Sequence, residues 1–245
     1  MVRVTFLGSG DAFGSGGRFQ TCILVEGEGS SFLFDCGASS LIAMRRFGVD
    51  PNAISTILIG HLHGDHFGGV PFFLLDAQFI SRRSEPLIVA GPSGTEERID
   101  RAMDVLFPNF AGMAWKFALD VHELEPGQEH NIGDIRATPY VVDHPSGAPP
   151  TALRVAIDDR IITYSGDTQW TPNLIPAARD ADLFIAETYS YDKTVPHHMS
   201  YEGWQAHKHE LGAKRIVATH MSSNSLRHVD EMEFEIAEDG KVFEV

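Results

Sequence analysis

The sequence is poor in three features that would each define a class of protein: cysteine, positive charge and long apolar runs. Among its 245 residues only Cys22 and Cys36 are cysteines, too few for a scaffold stabilised by disulfides. Each lies in an apolar stretch, which is typical of a small buried side chain, and neither has the neighbouring ligands of a structural zinc finger. The chain must therefore rely on a hydrophobic core.

The apolar runs are too short for a membrane helix, which needs about 20 consecutive apolar residues. The longest candidate, residues 67–80, is interrupted by glycines, Pro71, Asp76 and Gln78. The first residues lack the basic start and apolar centre of a signal peptide and instead resemble a strand followed by a glycine loop. We therefore expect no membrane association and a cytoplasmic location.

Positive charge is scarce, since 19 lysines and arginines face 34 aspartates and glutamates, for a formal net charge of −15 at pH 7. Such a chain repels polyanions at long range, which does not favour a large nucleic acid as partner. Two bound divalent cations would make the field attractive at one spot. Histidine, by contrast, is abundant, with 12 residues.

The chain shows no repeat, low-complexity tract or linker, which predicts a single domain over residues 1–245. The pattern predicts strands over 2–7, 21–26, 31–35, 54–59, 86–90, 117–124, 135–142, 152–157, 160–164, 183–187 and 215–219. It predicts helices over 38–47, 94–107, 174–178 and 200–211, and a closing hairpin over about 234–245 around Asp239-Gly240. Two clusters of strands, each followed by helices, indicate two sheets packed face to face with helices outside.

The most informative segment is His61-Leu62-His63-Gly64-Asp65-His66, which directly follows the apolar run 54–59. Imidazole nitrogen and carboxylate oxygen are ligands that zinc prefers in catalytic sites. The first two histidines alternate, so they point the same way in an extended stretch, and the final Asp-His pair can turn toward a second ion. The alternative, a chance group of histidines on a polar loop, is not favoured directly after a buried strand.

Six residues cannot complete two metal sites, so further ligands must come from other parts of the chain. Three places offer them, each directly after a predicted strand: Asp143-His144, Gly166-Asp167 and His220. Taken singly, each histidine is more often a surface or core side chain than a ligand. Taken together, they predict ligands that converge at the ends of strands.

In the order of these residues the chain resembles the metallo-β-lactamase superfamily over nearly its whole length. The resemblance implies a four-layer αββα sandwich with two metal ions at one edge of the sheets. It implies that His61, His63 and His144 hold one ion and that Asp65, His66 and His220 hold the other, with Asp167 and a hydroxide bridging them. Zinc is the expected metal and manganese the alternative.

Several short segments resemble ribonuclease Z within that superfamily: Leu7-Gly8-Ser9-Gly10, Phe34-Asp35-Cys36-Gly37, Gly64-Asp65-His66-Phe67-Gly68-Gly69 and Gly91-Pro92-Ser93-Gly94. Glu187-Thr188 and His198-Met199-Ser200 are similar to two further elements of that group. The resemblance implies that His198 donates a proton to the leaving group and that Glu187 holds its other nitrogen. His197 is an adjacent competitor for the first role.

The chain also departs from ribonuclease Z. It has no long insertion between His144 and Asp167, where the bacterial short form carries its tRNA-binding arm, and no lysine- and glycine-rich insert elsewhere. The segment Met221-Ser222-Ser223-Asn224 lacks that enzyme's Arg-Tyr signature. The chain is more similar to small phosphodiesterases of this group, such as the cyclic phosphodiesterase of phosphonate breakdown, and tRNA is not favoured as a substrate.

The leading hypothesis is therefore a dinuclear metal-dependent phosphodiesterase for a small cyclic or nucleotide-like substrate. A metal-bridging hydroxide would attack phosphorus, Asp65 would orient it, and His198 would protonate the leaving oxygen. The alternatives are tRNA 3′-end processing, lactonase or β-lactamase chemistry, and, outside enzymes, a metal-binding sensor module. Residues 107–115 could form a lid, a subunit contact or core packing, and a homodimer is the expected assembly because relatives are often dimers.

Overall fold

The fold is described from a computed structural model, which covers residues 1–110 and 112–245. The strands are β1 (Arg3–Gly8), β2 (Cys22–Glu26), β3 (Ser31–Phe34), β4 (Thr56–Leu58), β5 (Leu87–Gly91), β6 (Leu119–Glu123), β7 (His130–Ile132), β8 (Ile135–Val141), β9 (Thr151–Ile157), β10 (Arg160–Tyr164), β11 (Leu183–Glu187), β12 (Ile216–Thr219), β13 (Glu235–Ile236) and β14 (Val242–Glu244). The α-helices are α1 (Ser40–Phe47), α2 (Gly64–Phe67), α3 (Val70–Leu75), α4 (Thr95–Leu106), α5 (Leu174–Ala178), α6 (Tyr201–Leu211) and α7 (Ser223–Leu226). A π-helical turn, Asp76–Ile80, continues α3.

The strands form two seven-stranded sheets, ordered β14-β1-β2-β3-β4-β5-β6 and β13-β12-β11-β10-β9-β8-β7. In the first sheet, β3, β4, β5 and β6 run parallel, while β1 pairs antiparallel with both its neighbours. In the second sheet, β10, β11, β12 and β13 run parallel and the remaining pairs are antiparallel. The parallel strands of each sheet therefore end at a common edge, where their following loops meet.

Alternation along the strands sets the layers, because successive side chains point to opposite faces of a sheet. On β3, Phe32 and Phe34 join the core between the two sheets, while Leu33 faces the helices. On β11, Ile185 likewise faces the other sheet and Phe184 faces outward. Since both faces are covered, these strands are apolar throughout, as the sequence patterns indicated.

Helices cover the outer face of each sheet, which completes the predicted αββα architecture. Helices α1, α3 and α4 pack on the first sheet, and α5 and α6 pack on the second. The largest fully buried side chain is Trp204 of α6, which lies edge-on to Phe184 with ring centroids 5.4 Å apart. Its indole N–H donates to the Glu187 carbonyl oxygen at 2.6 Å, which fixes α6 to the end of β11.

The predicted closing hairpin over 234–245 is wrong, since β13 and β14 belong to different sheets. β13 pairs with β12, whereas β14 pairs with β1. The turn between them lies against the N-terminal glycine loop. There the Asp239 carboxylate accepts hydrogen bonds from the backbone N–H groups of Ser9 and Phe19, at 2.9 and 2.7 Å. A local turn signal could not reveal these distant partners.

The structure also contains elements that the sequence patterns did not predict: β7, the short helices α2 and α7, and the helical stretch formed by α3 and its π turn. Pro71 lies in the first turn of α3, where a missing N–H leaves no hydrogen bond unmade. Among the described residues no helix is both long and apolar enough to cross a membrane. Both cysteines are buried thiols.

Residues 107–115 include residue 111, which lies outside the described part of the chain. Phe107 and Trp115 pack against the core under α3 and α4. Phe110 is 37% exposed and lies 5.8 Å from Phe79, centroid to centroid. The described residues of this segment thus contribute both to core packing and to an exposed apolar surface.

We predict that Trp204→Ala lowers the free energy of unfolding by about 3–5 kcal/mol, because it removes a fully buried aromatic ring and leaves the Glu187 carbonyl without its donor. Urea unfolding followed by circular dichroism measures the change. Ile42→Ala is the control, since Ile42 is 64% exposed and should change stability by less than about 0.5 kcal/mol. A Trp204→Ala effect as small as that of the control would contradict this assignment.

Candidate metal centre

The loop that follows β4 carries the first four predicted ligands to the common strand edge. His61 is buried and His63 partly buried, and the chain then turns into the short helix α2, which places Asp65 and His66 on the inner side. His144 follows β8, Asp167 follows β10, and His220 follows β12. These seven residues come together in two groups whose possible ligand atoms lie within 4.8 Å of one another.

The first group is His61, His63 and His144. Each pair of rings has its centroids 4.9 Å apart, so the three imidazoles form an equilateral arrangement. His144 Nε2 lies 3.0 Å from His63 Nδ1. Three imidazoles converging on one point are a ligand set of the kind that catalytic zinc uses.

The second group is Asp65, His66, Asp167 and His220, all buried. Asp65 Oδ2 lies 3.2 Å from Nε2 of both histidines. The two Asp167 oxygens lie 3.3 Å from His66 Nε2 and 3.5 Å from His220 Nε2. Each carboxylate thus stands between the two imidazoles.

Backbone conformation contributes to this convergence. His220 has φ +55°, and its N–H donates to the Ser9 carbonyl oxygen at 3.0 Å. Gly166 has φ +60°, and a Cβ there would lie 2.9 Å from the Thr151 carbonyl oxygen. A larger residue at 166 would therefore be strained in conformation and crowded. The tight turn lets Asp167 enter the group directly from the end of β10.

Two of the predicted ligands, His66 and His144, are oriented by contacts at Nδ1, the ring nitrogen that points away from the centre. His66 Nδ1 lies 2.6 Å from Oδ2 of the fully buried Asp35. His144 Nδ1 lies 3.0 Å from the His197 carbonyl oxygen. Both contacts leave Nε2 to face the centre, as second-shell partners of metal-binding histidines do.

Several buried polar atoms of the site lack hydrogen-bond partners, as expected for metal ligands. Both ring nitrogens of His61 have no hydrogen-bond partner among the described residues. His66 Nε2 and Asp167 Oδ1 also lack one, since their 3.3 Å contact does not have hydrogen-bond geometry. A buried polar atom without a partner costs about 1–3 kcal/mol. Since imidazole nitrogens and carboxylate oxygens are the donors that zinc and manganese accept, the residues fit a pair of divalent cations.

The electrostatics agree with a site that carries compensating positive charge. Burial alone would lower the pKa of His220, but the charge of Asp167 and the hydrogen bond to Asp65 raise it to about 9. Burial, together with the charge of His66, lowers the pKa of His61 well below its ordinary value. Despite its burial, Asp167 has its pKa lowered by the charges of His220 and His66. In the metal-free protein, protons on histidine therefore balance the buried carboxylates.

A third group lies beside these two and consists of His144, Asp167 and His198. His198 Nδ1 forms a hydrogen bond with Oε1 of the fully buried Glu187. The other Glu187 oxygen accepts from the backbone N–H of Thr168 at 2.8 Å. Burial alone would lower the pKa of His198, but the hydrogen bond and charge of Glu187 raise it. The geometry thus places an imidazole with a raised pKa next to the metal-binding groups.

The two adjacent histidines differ in their surroundings. His198 is the one paired with Glu187, while His197 Nδ1 lies 3.0 Å from the half-exposed Asp143. Sequence reasoning missed three contributors: Asp35, Gln169, and Tyr189, whose ring stacks on His198 at 4.5 Å. A signal existed for Asp35, an acidic residue directly after a buried apolar strand, whereas the other two depend on tertiary contacts.

The chain is similar in sequence and in fold to several known proteins. The family model described as anti-Pycsar protein Apyc1 matches residues 2–243. A ribonuclease Z of Methanosarcina acetivorans is 27% identical, over 100% of this chain and 94% of its own length. The crystal structure of the short form of human tRNase Z superposes with a TM-score of 0.81 at 25% identity, covering 99% of both chains. The metallo-β-lactamase-fold protein YhfI of Bacillus subtilis superposes with a TM-score of 0.79 at 21% identity, covering 100% of both chains.

We predict that metal binding near pH 7.5 releases at least about one proton per chain, since His220 is protonated below its pKa of about 9 and must lose that proton to become a ligand. Because metal and proton compete for His220, the apparent affinity for the metal should rise with pH and level off above about 9. Titration calorimetry in two buffers of different ionisation enthalpy measures the proton count. His220→Asn should release fewer protons and His130→Ala, at the far edge strand, should behave as wild type. Proton release that is the same for His220→Asn and wild type would contradict this reasoning.

Proposed function

This chain belongs to the family of the anti-Pycsar protein Apyc1 and is a metal-dependent hydrolase of the ribonuclease Z-like branch of the metallo-β-lactamase superfamily, and from that membership we propose that it is a phosphodiesterase for a small cyclic or nucleotide-like substrate. We further propose that residues 1–245 act as one catalytic domain in the cytoplasm. The family model spans nearly the whole chain, which supports the single domain.

The observation that carries this proposal is the position of His198. It is paired with the buried carboxylate of Glu187 and lies in one group with His144 and Asp167. Phosphodiester hydrolysis needs a proton donor for the leaving alkoxide, close to the charge that develops on phosphorus. A non-catalytic metal-binding module has no need for an imidazole that a buried carboxylate holds in this place.

In this proposal His61, His63 and His144 would hold one divalent ion, Asp65, His66 and His220 would hold the second, and Asp167 would serve both. When bound, such ions lower the pKa of water and neutralise charge on phosphoryl oxygens. Zinc is the proposed metal, with manganese as the alternative. Asp65, whose Oδ2 lies 3.2 Å from Nε2 of both His66 and His220, would orient the attacking water. Glu187 would hold the Nδ1 of His198 while His198 donates a proton to the leaving oxygen.

The size and charge of the chain support a small substrate. The alignment with the archaeal ribonuclease Z extends over 298 positions, whereas this chain has 245 residues, so the relative carries insertions that are missing here. The net charge of −15 opposes long-range attraction of a polyanion. A small phosphodiester needs neither an arm nor a basic surface, because the metal site itself supplies the attraction.

Processing of tRNA 3′ ends is the second candidate. Relatives named ribonuclease Z match this chain over its full length, and the human tRNase Z structure covers almost all of it. These findings count in favour of tRNA as a substrate, against the expectation from the sequence. The missing insertions are the reason to place this candidate second.

A panel of substrates separates the candidates: bis(p-nitrophenyl) phosphate, a 3′,5′-cyclic nucleotide, a precursor tRNA, a lactone and a β-lactam, each with added zinc or manganese. We expect turnover of the cyclic nucleotide. Turnover of precursor tRNA alone would establish the second candidate. Turnover of the lactone or β-lactam without any phosphodiester would overturn the proposal.

We predict that His198→Ala lowers kcat for the cyclic nucleotide by about 10²–10⁴-fold, because the leaving alkoxide then lacks its proton donor. The loss should be smaller for bis(p-nitrophenyl) phosphate, whose leaving group is stable without a proton. Metal content, measured by elemental analysis, should stay unchanged. His122→Ala, an exposed histidine on β6, is the matched control. Equal losses on both substrates would show that His198 is not the proton donor.

We also propose a homodimer, formed through an apolar face on α3, the π turn and the end of α4. Its exposed side chains are Phe72, Phe79, Ile80, Val105, Leu106 and Phe110. Phe72 packs on Phe107 with centroids 5.1 Å apart, and Phe79 packs on Phe110, so the face extends across both elements. Monomeric proteins rarely expose so many large apolar side chains together.

We predict that the double change Ile80→Glu and Val105→Glu converts a dimer into a monomer, because both side chains are mostly exposed in the single chain, at 69% and 76%, and would bury a charge at the interface. Light scattering after size-exclusion chromatography measures the mass. Ile42→Glu alters an exposed isoleucine on α1, away from this face, and should leave the dimer intact. A wild-type monomer would disprove the assembly.

A further inference from the structure

Three side chains next to the metal-binding groups form a closed set of hydrogen bonds. His197 Nδ1 lies 3.0 Å from Asp143 Oδ1. Gln169 Nε2 donates to the other oxygen of Asp143, and Gln169 Oε1 accepts from the His197 backbone N–H at 3.2 Å. The backbone N–H of Gln169 also donates to the Asp143 carbonyl oxygen at 3.2 Å. We call this set, Asp143, Gln169 and His197, the rim triangle.

The rim triangle holds His197 in an unfavourable backbone conformation. Its φ is +62°, in the left-handed region that non-glycine residues seldom adopt. In that conformation its carbonyl oxygen lies 3.0 Å from His144 Nδ1. A carbonyl can only accept a hydrogen bond, so His144 must carry its proton on Nδ1 and present a lone pair on Nε2. The strained residue therefore decides the tautomer of a predicted ligand.

We propose that Asp143, Gln169 and His197 are positioning residues that fix His144 as a metal ligand, an inference that rests on the metal binding proposed above. Asp143 and Gln169 flank the ligands His144 and Asp167 in sequence, which ties the two ligand loops together. His197 reaches them from the opposite segment between β11 and α6. The triangle thus connects three loops at the point where one histidine must be oriented.

A role in overall stability would not explain this arrangement. The side chains of His197 and Asp143 are 44% and 45% exposed, and exposed pairs of this kind contribute only about 0–1 kcal/mol. Loss of the triangle should therefore leave the fold intact. What changes is the freedom of the His197 carbonyl, and with it the orientation of His144.

The effect should also be greatest at one of the two ligand groups. His144 belongs with His61 and His63, whereas His66 in the other group is held by Asp35 on a different strand. The second group has no hydrogen bond to the rim triangle among the described residues. A greater loss of affinity for one ion than for the other would not result from a general loss of stability.

The test compares wild type with His197→Ala and Gln169→Ala in the full chain. Zinc stoichiometry and affinity are measured by competition with a chromophoric chelator, without substrate. We expect two ions in every protein, with the affinity for one of them lowered about 10–100-fold in both variants and the affinity for the other lowered much less. His130→Ala, a histidine that contacts the Glu125 carbonyl oxygen at 3.0 Å on the far edge of the second sheet, is the matched control.

The tautomer of His144 in the metal-free protein provides a second readout, from long-range nitrogen–proton correlation spectra. Wild type should show the Nδ1–H form and the two variants a mixture. Equal weakening of both ions, or unchanged affinity with an unchanged tautomer, would overturn the inference. If wild type binds no metal, the proposed function fails instead, and the tautomer still decides whether the triangle orients His144.

Discussion

The metal-binding groups depend on one buried interaction, that of the Asp35 carboxylate with the loop that follows β4. One oxygen accepts the Gly60 N–H at 2.8 Å and the other lies 2.6 Å from His66 Nδ1. The next residue, Cys36, donates its N–H to the His66 carbonyl oxygen at 2.6 Å. A fully buried carboxylate is expensive unless it is paired, and here pairing requires the ligand loop to fold over the end of β3. The geometry of the loop is therefore imposed by the need to satisfy this charge.

The two ligand groups differ in the partner that stands behind them. His66 is backed by a carboxylate, whereas His144 is backed by a neutral carbonyl. A negative partner makes an imidazole a stronger electron donor, while a carbonyl fixes orientation with little change in charge. The structure thus supports two unequal positions, one rich in negative charge around Asp65 and Asp167 and one formed by three imidazoles.

Much of the fold, and the convergence of the seven candidate ligands, could be read from the sequence, because both follow local rules. Strands buried on both faces are apolar throughout, and the ligand-type residues that follow them must meet at a common edge. The contacts of Asp35, Gln169 and His197 could not be read in this way, since each depends on a partner far along the chain. The course of residues 234–245 was mispredicted for the same reason: its turn residues are typical of a hairpin, but Asp239 bonds to Ser9 and Phe19 instead.

That split course has a consequence for biosynthesis. β1 emerges early, yet one of its edges is covered only by β14, near residue 243. An uncovered strand edge invites pairing with other chains. At about 5–20 residues per second, translation leaves this edge open for roughly ten seconds to a minute. The sheet that begins first can thus be finished only after every strand of the other has been synthesised, so the first sheet cannot complete its fold ahead of the second.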